Sequence, residues 1–123
     1  MTSEEKKAFL LLKGIIFQYH GLDAEEEQLL QQTAEELQAL PEYEWVKTFM
    51  AEDYLTAFER ARDHFPSLQL TDDLKLDMLY KVWQANQAKG YITEMEATGM
   101  LRLARDWNLE AQLLERVRGR VGA

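Results

Sequence analysis

The sequence predicts an all-α fold, and three observations carry that prediction. Apolar residues recur at steps of three and four from one end of the chain to the other. No run of alternating apolar and polar residues bounded by hairpin signals reads as a strand. Helix-start signatures, a Thr or Asp followed three residues later by Glu, stand at Thr2–Glu5, Asp23–Glu26 and Thr93–Glu96. In that pattern the short side chain accepts from an orphan amide while the acid reaches back to the cap.

About seven helices follow in order. Thr2 opens the first over about 3–19, with Phe9, Leu12, Ile16 and Tyr19 on one face, and His20-Gly21 ends it. Asp23 opens the second over about 24–39; Glu25, Glu26 and Glu27 favour its positive end, and Leu29, Leu30, Thr33, Ala34 and Leu37 form the stripe. Pro41 suits the first turn of a short third helix over about 41–47. A fourth is expected over about 50–64 with Tyr54, Leu55, Phe58 and Ala61 inward, until Phe65-Pro66-Ser67 breaks the pattern. Thr71 caps a fifth over about 72–88, carrying Leu76, Leu79, Tyr80 and Trp83, and Gly90 terminates it. Thr93 opens a sixth with Met100, Leu103, Ala104 and Trp107 inward. Asn108 turns the chain into a last helix over about 110–119, with Leu113, Leu114 and Val117. The six glycines read as helix-end and tail residues.

At 123 residues and 46% apolar content, the chain is expected to form one domain over 1–123 with its own core. With 22 Asp+Glu against 14 Lys+Arg the formal charge is −8. That balance opposes sequence-independent binding to nucleic acid, which needs a dense positive field. The absence of Cys removes thiol nucleophiles, disulfides and thiolate metal ligation. The N-terminus lacks the pattern of a secretory leader, and no segment has the roughly 18 to 20 apolar residues of a membrane helix. The expected location is cytoplasmic.

Two stretches align at an offset of 69 to 70 residues. Leu12 to Gly21 lies over Lys81 to Gly90, after which Asp23–Glu26 and Thr93–Glu96 open the next helix, and Ala34 lies over Ala104. Each copy reads helix, glycine turn, capped acidic helix. The second copy, Trp83 to Glu96 followed by Met100-Leu101-Arg102-Leu103-Ala104 and Trp107, resembles the pattern of an acidic residue, glycine, isoleucine and glutamate with a downstream leucine–alanine step in TerB-like tellurite-resistance proteins. Leu10 to Leu37 is similar to the matching N-terminal half. The resemblance implies a compact TerB-like helical domain of two related hairpins, a bacterial envelope- or metal-stress setting, and divalent-metal binding by the acid before each glycine. Here those positions hold His20 and Lys89.

The spacing Gly90–Ile92–Glu96 matches the later half of a calcium-binding EF-hand loop, but Ala85, Gln87 and Lys89 stand where its first carboxylates belong. A cation site, if built at all, draws on Asp23, Glu26, Glu27, Glu94 and Glu96; capping and dipole compensation account for the same acids. His20 and His64 lack the i, i+4 spacing of helical zinc ligands. No nucleophile elbow, phosphate loop or dinucleotide fingerprint is present, so no catalytic residues are assigned.

Tyr43, Trp45, Phe49, Tyr54, Phe58 and Phe65 crowd the middle third, and surplus rings at a surface serve as interface anchors. Most of these rings are expected in the core; Trp45 is the leading candidate for exposure, and Tyr43 and Phe49 join it as candidate partner-binding residues. Residues 102–123 carry five arginines against three acids, leaving −10 on the residues before them. Arg116, Arg118 and Arg120 crowd that end and suit an acidic surface within the fold, across a homodimer, on another protein or at a lipid headgroup layer. The expected function is a non-enzymatic binding or scaffolding module whose partner is another protein and which takes no cofactor. The alternatives are a divalent-cation sensor built on the acidic helix starts and a small carboxylate-based hydrolase or transferase.

Overall fold

Side-chain caps open three of the helices, at Thr2, Thr71 and Thr93. The computed structural model describes residues 2–17, 24–53, 55–88 and 92–122. It is all-helical, with seven α-helices and no strand among the described residues. The expected turns at His20-Gly21 and Lys89-Gly90, together with Tyr19, Asp23 and Tyr54, lie outside the described residues. The chain divides into two compact units, Met1–Gln69 and Leu70–Ala123.

In the first unit, α1 (Ser3–Phe17) begins at a reciprocal cap: Thr2 N–H donates to Glu5 Oε1 at 2.7 Å, and Glu5 N–H donates to Thr2 Oγ1 at 3.1 Å. Ala8 to Leu12, Ile15 and Ile16 are all buried, a wider apolar surface than the expected stripe. The reason is packing, because α1 is flanked by α2 (Ala24–Glu36), α3 (Leu40–Glu52) and α4 (Ala57–His64). Gly14 and Gly99 sit inside helices, contrary to the expectation that every glycine marks an end. A Cβ on Gly14 would lie 2.8 Å from Met50 Sδ and 3.4 Å from Leu30 Cδ2, so the missing side chain lets α1 approach both neighbours. Lys13 Nζ donates to Thr33 Oγ1 at 2.6 Å between α1 and α2.

Three expectations in this unit are corrected. Helix α2 stops at Glu36 rather than Ala39, because Gln38 takes a left-handed conformation (φ 53°). Gln38 N–H donates to Glu35 O at 3.1 Å and Ala39 N–H to Ala34 O at 2.8 Å, the pair of bonds that defines a Schellman turn. Helix α3 runs through to Glu52, so the break expected between 47 and 50 falls instead at Asp53. Tyr43, Val46 and Met50 keep one helical face buried across that span. Asp53 is extended, its side chain accepts from Leu55 N–H at 3.2 Å and its carbonyl from Thr56 N–H at 3.2 Å. Such local bonds compete with helix continuation. Leu55, expected inward, is 79% exposed in this turn. A 3-10 turn at Phe65–Ser67 buries Phe65 and closes the unit.

In the second unit, Thr71 Oγ1 accepts from Leu74 N–H at 3.2 Å and opens α5 (Asp72–Ala88). This helix packs on α6 (Glu94–Asp106) and α7 (Glu110–Gly122), which also touch each other. Leu76, Met78, Leu79 and Val82 of α5 are buried, as are Met100, Leu103 and Ala104 of α6 and Leu113 of α7. Asn108 adopts φ 57°, with Asn108 N–H donating to Arg105 O at 3.1 Å and Leu109 N–H to Ala104 O at 2.7 Å. The corner between α6 and α7 therefore has the same backbone turn as the corner between α2 and α3.

Candidate functional site

The aromatic side chains of the middle third are sorted by the pitch of α3. Tyr43 falls on the buried face, only 4% exposed, which removes it from the accessible surface. Trp45 and Phe49, one turn apart, fall on a half-buried face with ring centroids 5.3 Å apart. His64, at the end of α4, lies 5.4 Å from Trp45 and 5.8 Å from Phe49. Cations cap both ends of this cluster: Lys7 Nζ stands 5.2 Å from the Trp45 ring and Arg60 Cζ 4.7 Å from Phe49. A cation over a ring face is attracted by the ring quadrupole, by about 0.5–1 kcal/mol at exposed sites. Arg60 is itself fixed, donating from Nε to Thr56 Oγ1 at 3.1 Å and from Nη2 to Asp53 O at 2.8 Å. The cluster thus joins α1, α3 and α4 at a partly exposed surface.

The acidic candidates divide between the units. Glu26 is buried (3% exposed) and Glu27 exposed on α2. Glu94 is exposed and Glu96 fully buried on α6. Glu96 Oε1 accepts from Thr93 N–H at 3.0 Å and from Thr93 Oγ1 at 2.9 Å, while Glu96 N–H donates to Thr93 Oγ1 at 3.1 Å. That carboxylate is engaged as a helix cap. Asp23 lies outside the described residues. Among the described residues, no group of three or more His, Asp and Glu side chains is placed to hold a metal ion.

Arg116 Nη1 donates to Asp77 Oδ1 at 2.6 Å, tying α7 to α5, and Arg118 is exposed. The Arg120 side chain lies outside the described residues.

The α2–α3 corner carries an open pocket of about 350 Å³ lined by Glu35, Gln38, Leu40 and Pro41. Leu40 is 51% exposed although apolar. The available signal was Ala39-Leu40-Pro41, which puts an apolar residue at the cap position where a polar one is usual.

No helix among the described residues is long and apolar enough to cross a membrane. No family model, curated protein or solved structure matches this chain. The fold and these surfaces define an all-α protein with an aromatic, cation-capped face.

Proposed function

We propose that this chain is a non-enzymatic binding or scaffolding module whose partner is another protein. The observation that carries the proposal is the Trp45–Phe49–His64 cluster, half-buried and bracketed by Lys7 and Arg60. Aromatic rings immobilised before binding lose little entropy on contact, and Trp and Arg are over-represented among interface anchors. Leu40 and Leu55 add exposed apolar area in the same unit. The resemblance of the stretches Leu10 to Leu37 and Trp83 to Trp107 to the TerB-like pattern extends the proposal to a cytoplasmic role in a bacterial envelope- or metal-stress system.

A photo-crosslinking residue in place of Trp45, introduced in the native host, is expected to capture a defined protein identifiable by mass spectrometry. The same group at exposed Ser67 is the control. Labelling at position 45 no stronger than at position 67 would remove the proposal.

A second reading, divalent-cation sensing, draws on the acidic helix starts, although Thr93 already engages the Glu96 carboxylate. A saturable thermal shift with Ca²⁺, Mg²⁺, Mn²⁺ or Zn²⁺, lost in Glu27→Ala or Glu96→Ala, would promote it.

A further inference from the structure

The two Schellman corners share a backbone and differ in what covers them. At the α6–α7 corner, Arg105 forks onto Glu110, with Nε to Oε2 at 2.9 Å and Nη2 to Oε1 at 3.2 Å. The pair spans the turn, and it holds the Glu110 carboxyl below its ordinary pKa, first through the Arg105 hydrogen bond. At the α2–α3 corner the residues at the same two steps of the turn are Glu35 and Leu40. No guanidinium crosses there. Glu35 has no ion pair among the described residues and accepts only a long bond, 3.4 Å, from Gln31 Nε2. Beside it lies the pocket floored by Leu40 and Pro41.

We propose that the α2–α3 corner docks a segment of a partner protein that presents an arginine to Glu35 and an aliphatic side chain to Leu40 and Pro41. The inference rests on the reading of this chain as a protein-binding module and names the chemistry of its partner. Charge favours such a segment: residues 1–69 hold 14 Asp+Glu against six Lys+Arg, a net −8, whereas the remaining residues are balanced at eight of each. A cationic segment is therefore drawn to this unit before contact. A planar guanidinium then satisfies the carboxylate through two parallel bonds, as Arg105 does at the sister corner. The aliphatic neighbour removes Leu40 from water, supplying the apolar part of the contact. Lysine is a poorer fit, since an ammonium cannot fork.

The test is selection of a displayed library of random 12-residue peptides on the immobilised full chain, followed by anisotropy titration of labelled winners. Winners are expected to be enriched in arginine adjacent to Leu, Ile or Val. Their affinity is expected to fall at least tenfold on Glu35→Ala and on Leu40→Ser, both surface changes whose helicity is checked by circular dichroism. A Glu35→Arg chain should recover binding to a peptide whose arginine is changed to glutamate. Winners that bind both variants as tightly as the parent would overturn the corner while leaving the binding-module reading intact. Failure to enrich any peptide above a blank surface would overturn the corner, while the crosslinking at position 45 decides the binding-module reading separately. Self-association of the chain that Leu40→Ser dissolves would assign the corner to a second copy and overturn the proposed partner.

Discussion

Gln38 and Asn108 hold the same left-handed backbone, with φ of 53° and 57°, at the same step of the same helix-ending turn. Asn tolerates this region because its short polar side chain bonds locally, whereas a Gln there carries a steric cost of roughly 1–2 kcal/mol. Gln38→Gly relieves that cost. Its expected effect is a gain of about 0.5–1 kcal/mol in urea unfolding, less than the strain because glycine also loses more chain entropy. Asn108→Val is expected to cost about 1 kcal/mol or more, since a β-branched residue is an outlier at positive φ.

The Thr93–Glu96 cap sets a second expectation. Both Thr93 donors converge on one Glu96 oxygen in a fully buried setting. Thr93→Ala should destabilise the fold by about 0.5–2 kcal/mol, the usual worth of a helix cap. Because the same carboxylate is committed to the cap, adding Ca²⁺ or Mn²⁺ to chelator-treated protein should leave the thermal midpoint unchanged. A saturable rise would transfer weight to cation sensing.

Acid should weaken the protein through three named carboxylates. Glu42 is held below its ordinary value of 4.5 first by the Ser3 hydroxyl, Glu5 by the Thr2 backbone amide and Glu110 by the Arg105 guanidinium. The unfolded chain therefore binds these protons more readily than the folded one. Their stabilisation is complete above the ordinary carboxylate range and is lost as pH falls through the lowered folded-state values. The urea midpoint should fall on acidification below about pH 4.5, and the fall should be shallower in a Glu5→Gln, Glu42→Gln, Glu110→Gln triple variant. An unchanged slope in that variant would place the acid sensitivity elsewhere.

What the sequence made legible was what is decided within a turn or two of the chain. Thr2 and Thr93 announced reciprocal caps because the participating residues are three apart, and Thr71 announced its helix in the same way. The Trp45–Phe49 pair follows from α-helical pitch. Its other members, Lys7 and His64, come from α1 and α4, and no local pattern brings them in. The left-handed Gln38 is not legible because glutamine has no preference for that conformation. The break at Asp53 was misplaced for a different reason. No Gly or Pro marks it, and a side chain competing for backbone amides is not visible in hydrophobic periodicity. The open corner went unseen with Gln38, since a helix read through to Ala39 leaves no turn for Glu35 and Leu40 to flank.

Gly14 decides how closely the first unit packs, and substitutions there separate helix propensity from steric fit. An added methyl would sit 2.8 Å from Met50 Sδ and 3.3 Å from Met50 Cε, the mobile end of an unbranched side chain. Alanine also improves intrinsic helix propensity by about 0.8–1.0 kcal/mol over glycine. These effects oppose each other, so Gly14→Ala should change stability by no more than about 1 kcal/mol. Gly14→Val adds two further methyl groups beside Leu30 Cδ2, already 3.4 Å from the first added carbon, and valine cannot swing them clear. It should cost roughly 1–3 kcal/mol by overpacking. Met50→Ala in the valine background should recover part of that loss. A double-mutant cycle on Gly14→Val and Met50→Ala with a coupling near zero would show that the close approach of α1 to α3 is not what the glycine secures.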